Sequence, residues 1–112
     1  MIKNYSEEVK NLIGEYSKEN IIFGKEIDFL LKRIEISKEE IENEILSCKN
    51  LSLTEKQIRE GEARYVLLFI QSKRKGRQYI ITFREKELRI ITIFPLGRRT
   101  LRRYRKKGLN IG

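Results

Sequence analysis

The sequence predicts an α+β fold in which N-terminal helices pack on one face of a three- to four-stranded antiparallel meander, followed by a basic C-terminal helix or arm. Three observations predict it. Apolar residues recur at helical spacing through roughly the first 48 positions. Strand-length runs rich in Val, Ile, Tyr, Phe and Thr follow over 63–95, separated by short charged or Gly-containing turns. The charge changes sign near the same boundary: residues 1–62 carry 10 Lys/Arg against 14 Asp/Glu, and residues 63–112 carry 15 against only Glu85 and Glu87. The two parts are thus −4 and +13, within an overall +9. A chain of 112 residues is one domain. It divides into a helical part, 1–48, a sheet, 63–95, and a basic arm, 98–112.

The first helix is expected over about 5–17, where Ile2, Tyr5, Val9, Leu12, Ile13 and Tyr16 share a face. Ser6-Glu7-Glu8 suits its start, and Glu19-Asn20 breaks it. A second helix over about 24–35 carries Phe23, Ile27, Leu30, Leu31 and Ile34 as one stripe. A third begins at Ser37, where Ser37-Lys38-Glu39-Glu40 reads as a capping box. Its buried side is Ile41, Ile45 and either Leu46 or Cys48. Residues 49–62 are polar and read as irregular, with a short strand near 51–53. Three strands are expected over 64–72, 78–84 and 88–94, the last ended by Pro95 and Gly97. Deleting 98–112 is expected to leave the fold intact, because the apolar stripes lie upstream.

An even-length turn at Glu85-Lys86 sets Phe83 opposite Leu88, Ile81 opposite Ile90 and Tyr79 opposite Thr92. Val66, Leu68 and Ile70 are expected on that same, helix-packed face. The other face then carries Tyr65, Leu67, Phe69, Gln71, Ile80, Thr82, Arg84, Arg89, Ile91 and Ile93. Leu67, Phe69, Ile80, Ile91 and Ile93 would be exposed there, which predicts a homodimer or a partner protein covering them.

Composition removes several chemistries. Cys48 is the sole cysteine, so neither an intrachain disulfide nor a Cys-based zinc site is expected. With no histidine, there is no Ser-His-Asp or Cys-His triad and no His metal ligation. The basic part lacks clustered carboxylates, so a two-metal nuclease site is not expected; the metal and cofactor expectation is none. No run approaches the roughly 20 apolar residues that span a bilayer. Met1-Ile2-Lys3-Asn4 does not read as a signal peptide, and a cytoplasmic location is expected. The richness in Lys, Glu and Ile suits a thermophile's ion-pair surface and equally an AT-rich genome.

The one-sided charge creates a field that attracts polyanions. Two clusters carry it. Lys73-Arg74-Lys75-Gly76-Arg77 is a basic turn, suited to phosphate or simply to a soluble hairpin tip. Positions 98–107 hold seven cations, Arg98, Arg99, Arg102, Arg103, Arg105, Lys106 and Lys107. Such density repels itself unless an anion lies among it, which points to RNA or DNA phosphate. Tyr104, in their midst, either stacks on a base or anchors the arm to the sheet. Metal-free cleavage remains open to Arg, Lys and Tyr, because RNA supplies its own 2′-OH nucleophile.

Helices followed by a meander and a basic tail resemble the RelE- and BrnT-like toxin ribonucleases. The chain looks closer still to an uncharacterised group of small prokaryotic and archaeal domains placed beside them. The resemblance covers about 27–107. It is carried by Phe29-Leu30-Leu31-Lys32-Arg33-Ile34-Glu35-Ile36-Ser37-Lys38-Glu39-Glu40-Ile41, by Glu62-Ala63-Arg64-Tyr65 and by Leu88-Arg89-Ile90-Ile91-Thr92-Ile93-Phe94-Pro95. It implies catalytic roles for Arg84, Arg98 and Tyr104 around one concavity. Lys73, Arg74, Lys75, Arg77, Arg89, Arg99, Arg102, Arg103, Arg105, Lys106 and Lys107 would hold nucleic acid. The chain departs from the group in lacking a histidine before the second helix and in its extra N-terminal helix. Two functions follow: a metal-independent endoribonuclease of a toxin–antitoxin pair, or a non-catalytic nucleic-acid-binding protein, viral or plasmid-borne. A module whose basic tail binds an acidic protein is a third.

Overall fold

The computed structural model describes residues 3–106. In chain order these form α1 (Ser6–Ile13), a short 3₁₀ turn (Lys18–Asn20), β1 (Ile21–Phe23), α2 (Ile27–Ile34), α3 (Lys38–Ser47), β2 (Leu51–Arg59), β3 (Glu62–Ile70), β4 (Gly76–Arg84), β5 (Glu87–Leu96) and α4 (Arg98–Lys106). The α+β class is as expected. The sheet is larger and mixed: five strands in the order β1-β5-β4-β3-β2, antiparallel except where β1 runs parallel to β5. Among the described residues no helix is long and apolar enough to cross a membrane.

Local chemistry explains the additional strands. Between β2 and β3 lie only Glu60 and Gly61, at φ 52° and 79°. Two positive φ values are what a type I′ hairpin turn requires. That turn commits residues 51–59, expected to be mostly irregular, to pair with β3 along their length, with one irregularity between Leu51 and Leu53. β2 is an edge strand whose outer half carries Lys56 and Arg59, charges that guard a free edge. β1 is only three residues long. Its register, Ile21 beside Leu88 and Phe23 beside Ile90, is extended by Gly24, whose N–H donates to the Ile90 carbonyl at 2.9 Å.

The even turn at Glu85-Lys86 sets Phe83 opposite Leu88 and Ile81 opposite Ile90, as expected. Two features overturn the rest of the expected faces. The loop between β3 and β4 holds five residues, an odd number, and pairs Ile70 with Gly76. Strand side chains alternate, so this odd length turns the other face of β3 to the helices. Tyr65, Leu67 and Phe69, not Val66, Leu68 and Ile70, join Tyr79 and Ile81 there. Further on, a bulge at Ile91 lets Ile80 pair with Thr92 after Ile81 pairs with Ile90. Ile93 rather than Thr92 then meets Tyr79. Leu67, Phe69 and Ile93 are therefore buried, and the exposed apolar face expected to recruit a partner does not form.

α1, α2 and α3 cover this first face, through Val9 and Ile13, Ile27 and Leu31, and Ile41 and Ile45. Ser37 caps α3 by accepting from the Glu40 N–H at 3.1 Å, but the Glu40 carboxylate pairs with Arg77 on β4 instead of closing the box. One turn on, Glu44 accepts from Tyr79 Oη at 2.6 Å, Gln71 Nε2 at 2.8 Å and Arg77 Nη1 at 3.3 Å. Burial, and then Glu44, push the Tyr79 phenol's pKa up, so it remains a donor. Asn4 fastens α1: its Oδ1 accepts from the backbone N–H groups of Ser6 and Thr54, each at 3.0 Å. Cys48 ends α3 in the left-handed region, with its thiol donating to the Ile45 carbonyl and its pKa raised by burial.

A second, smaller core lies on the opposite face. Leu101 of α4 is fully buried against Leu53, Leu68 and Leu96, with Ile70 and Tyr104 at its margin. Gly76 is needed beneath it, because a Cβ there would lie 2.8 Å from the Phe69 carbonyl and 3.3 Å from Leu101 Cδ2. Residues 98–106 are thus a packed helix, which counts against the expectation that the fold stands without 98–112: removing α4 would bare three leucines. Leu101→Ala is expected to cost about 2–5 kcal/mol by the usual loss for a buried leucine. Urea denaturation measures it, and an unchanged midpoint would mean that α4 is not docked.

Candidate nucleic-acid interface

Helical geometry sorts the cations of α4. Leu101 and Tyr104, three apart, face the sheet, and Arg98, Arg102 and Arg105 fall together on one flank. That flank faces the turn between β3 and β4. Arg105 Nη2 donates to the Lys73 carbonyl at 3.4 Å. The turn is held by its own backbone, since the Gln71 and Ser72 N–H groups both donate to the Lys75 carbonyl, at 3.0 and 3.1 Å. Ser72 Oγ accepts from the Arg74 and Lys75 N–H groups at 3.2 and 3.1 Å.

The result is a hollow of about 220 Å³ lined by Lys73, Arg74, Arg98, Arg102 and Arg105 alone. Among the described residues no carboxylate pairs with any of the five. Five unneutralised cations around one space form a strongly positive site. Guanidiniums add planar, multi-donor forks that match phosphate oxygens.

The other expected residues are distributed as follows. Lys75, Arg99, Arg103 and Lys106 are exposed and do not line the hollow. Arg103, with Gln78, Thr100 and Tyr104, borders a separate hollow of about 210 Å³. Tyr104 is half-buried against the leucines, and its pKa is raised chiefly by that burial. The packing matches the anchoring role. Lys107 lies outside the described residues. Arg77 belongs to the opposite face: pairing with Phe69 directs it to α3, where Glu40 and Glu44 hold it at 14% exposure. That position removes Arg77 from the expected phosphate contacts.

The three expected catalytic residues do not converge. Arg84 lies eight residues along β4 from Gly76, about 26 Å at strand rise, whereas Gly76 touches Leu101 of α4. Arg98, Tyr104 and Arg84 border three different hollows. Arg84 lies instead with Arg64 and Arg89 in a groove at the far end of the second face. There its Nε donates to Glu62 Oε2 at 2.7 Å, while Arg89 Nη2 is 2.9 Å from Glu87 Oε1. Arg64 had no place in the sequence-based site. Its strand register across from Thr82 was the missing signal, and that register depends on the odd turn.

Compared with known proteins, the chain matches no family model, no curated protein and no solved structure.

The Arg84 hydrogen bond is the main cause that holds Glu62 below its ordinary carboxylate value of 4.5. A carboxyl depressed in the folded state contributes stability above its unfolded pKa and loses it as pH falls through the folded value. The pair is therefore fully in place above pH 4.5 and is lost below that. Carbon-detected NMR of the Glu62 carboxyl should give a midpoint under 4.5, and Arg84→Gln should raise it. An unshifted wild-type midpoint would contradict the pairing.

Proposed function

We propose that the chain binds the phosphate backbone of RNA or DNA through Lys73, Arg74, Arg98, Arg102 and Arg105. The observation that carries this reading is the convergence of these five side chains on one hollow with no carboxylate among them. Internal ion pairs satisfy cations elsewhere, as Arg77, Arg84 and Arg89 illustrate. At α4 the positive charge faces outward, flanked by Lys75, Arg99, Arg103 and Lys106. Phosphates would displace the counterions that such a surface must otherwise condense from solution.

The endoribonuclease reading needs a charge-stabilising arginine pair and a proton carrier at one phosphate. Arg84, Arg98 and Tyr104 lie around separate hollows, so the geometry favours binding without cleavage. A toxin–antitoxin role would then need a different catalytic set.

Fluorescence anisotropy against salt tests the proposal. With each of the five cations neutralising one phosphate along the bound strand, log K should fall with log salt at a slope of about −4.5 on duplex and about −3.5 on single strands. Replacing Arg102 and Arg105 together by Gln should flatten the slope by about 1.8 on duplex and about 1.4 on single strands. Absence of binding at low salt to either polymer would sink the proposal. In parallel, RNA incubated with the protein in EDTA should stay intact. Appearance of 2′,3′-cyclic phosphate ends, abolished by Arg98→Ala, would restore the ribonuclease.

A further inference from the structure

The groove around Arg84 has a volume of about 560 Å³ and takes no part in the phosphate-binding reading. Its floor is one row across four strands. Ile22 pairs with Arg89, Arg89 with Thr82, and Thr82 with Arg64. Directly paired residues project to the same side, so this row sets an apolar group, a guanidinium, a hydroxyl and a second guanidinium side by side. Arg84, two residues beyond Thr82, adds a third guanidinium on that side. Thr82 is buried, its hydroxyl donating to the Ala63 carbonyl at 2.9 Å, and Ile91 adds to the apolar lining.

The charges around this groove do not balance. Lys25 and Glu26, which also line it, offset each other, and Arg89 has Glu87 to itself, but Arg84 and Arg64 share Glu62. Arg84 holds the better geometry, at 2.7 Å. Arg64 Nε is left 3.6 Å from Glu62 Oε1, beyond hydrogen-bond length. Arg64 Nε and Glu62 Oε1 thus face each other, both buried and both without a hydrogen-bond partner among the described residues. A charged donor and acceptor held just beyond hydrogen-bond length at the edge of a hollow is an unusual and costly arrangement in a folded protein.

We propose that this groove binds a small amphiphilic oxyanion, with a carboxylate or phosphomonoester head on Arg64, Arg84 and Arg89 and an apolar body against Ile22 and Ile91. The head would neutralise the guanidinium charge that Glu62, shared between Arg64 and Arg84, leaves unmatched. Guanidinium forks receive either head bidentately. The volume lies in the range of small-ligand sites, about 300–1,000 Å³. A bare nucleic-acid backbone suits the groove less well, because its phosphates bring no apolar body. The inference therefore stands apart from the phosphate-binding reading of α4.

Amide and arginine side-chain NMR on the full chain tests it with four probes: benzoate, phenyl phosphate, inorganic phosphate and benzyl alcohol. Benzoate or phenyl phosphate should shift the Arg64 Nε–H and the Thr82, Arg89 and Ile91 amides saturably. The tighter of the two identifies the head. Inorganic phosphate, lacking the body, and benzyl alcohol, lacking the charge, should bind at least about tenfold more weakly, a difference of about 1.4 kcal/mol. Arg64→Gln should weaken binding of the better probe about tenfold. Arg64→Lys, which keeps the charge and loses the planar guanidinium fork, should weaken it too, with the amide spectrum elsewhere unchanged. No saturable shift in the groove with either amphiphile would overturn the proposal. So would shifts confined to α4, or equal binding of benzyl alcohol.

Discussion

β3 is buried on both faces, and the turn that joins it to β4 decides which of its side chains meets which partner. Pairing Ile70 with Gly76 across five intervening residues sends Tyr65, Leu67 and Phe69 toward α1, α2 and α3. The same pairing sends Leu68 toward α4 and sets Arg64 beside Thr82. A slip of one residue would exchange the two sets and present each core with the wrong shapes. The leucine cluster under α4, the aromatic contacts under the N-terminal helices and the arginine groove thus share one determinant. The basic turn is itself that determinant, so the loop that carries Lys73 and Arg74 also fixes which face each side chain of β3 meets.

Periodicity made the helices and the three central strands legible, because each repeats apolar residues at its own spacing. Ser37 announced the start of α3, and the two-residue turn at Glu85-Lys86 gave the register of Phe83 and Ile81. What was illegible has physical reasons. β3 reads Tyr-Val-Leu-Leu-Phe-Ile without alternation, because both its faces are buried, so no residue marks inside from outside. The bulge at Ile91 leaves no mark in a run of Ile-Ile-Thr-Ile. β2 hid because an edge strand with polar outer residues resembles a loop, though Glu60-Gly61 was a usable turn signal. In the candidate site, the dense cations of α4 were legible as a group. Their division into a free flank and a leucine-anchored side was legible only once Leu101 had a place to dock.

The acidic and basic parts of the sequence become opposite sides of the molecule. The N-terminal helical part, in which 11 of the 16 carboxylates lie within residues 1–48, covers one face, and α4 covers the other, with a single sheet between them. Such a distribution gives an approaching polyanion a preferred side before contact. It also explains why Arg77, in the basic turn by sequence, is neutralised in space. It crosses to the acidic side, where Glu40 and Glu44 already lie.

That crossing has a consequence for the basic turn. Gln71 and Arg77 bracket residues 72–76, and both end on the carboxylate of Glu44, which is 10% exposed on α3. The two stems of the loop are thereby clamped from beneath the sheet, by a helix on the face opposite α4. A loop held at both ends has few conformations left to lose when an anion settles on it, so more of the electrostatic attraction survives as affinity. The rigidity of the positive surface is set by a negative charge on the far side of the protein.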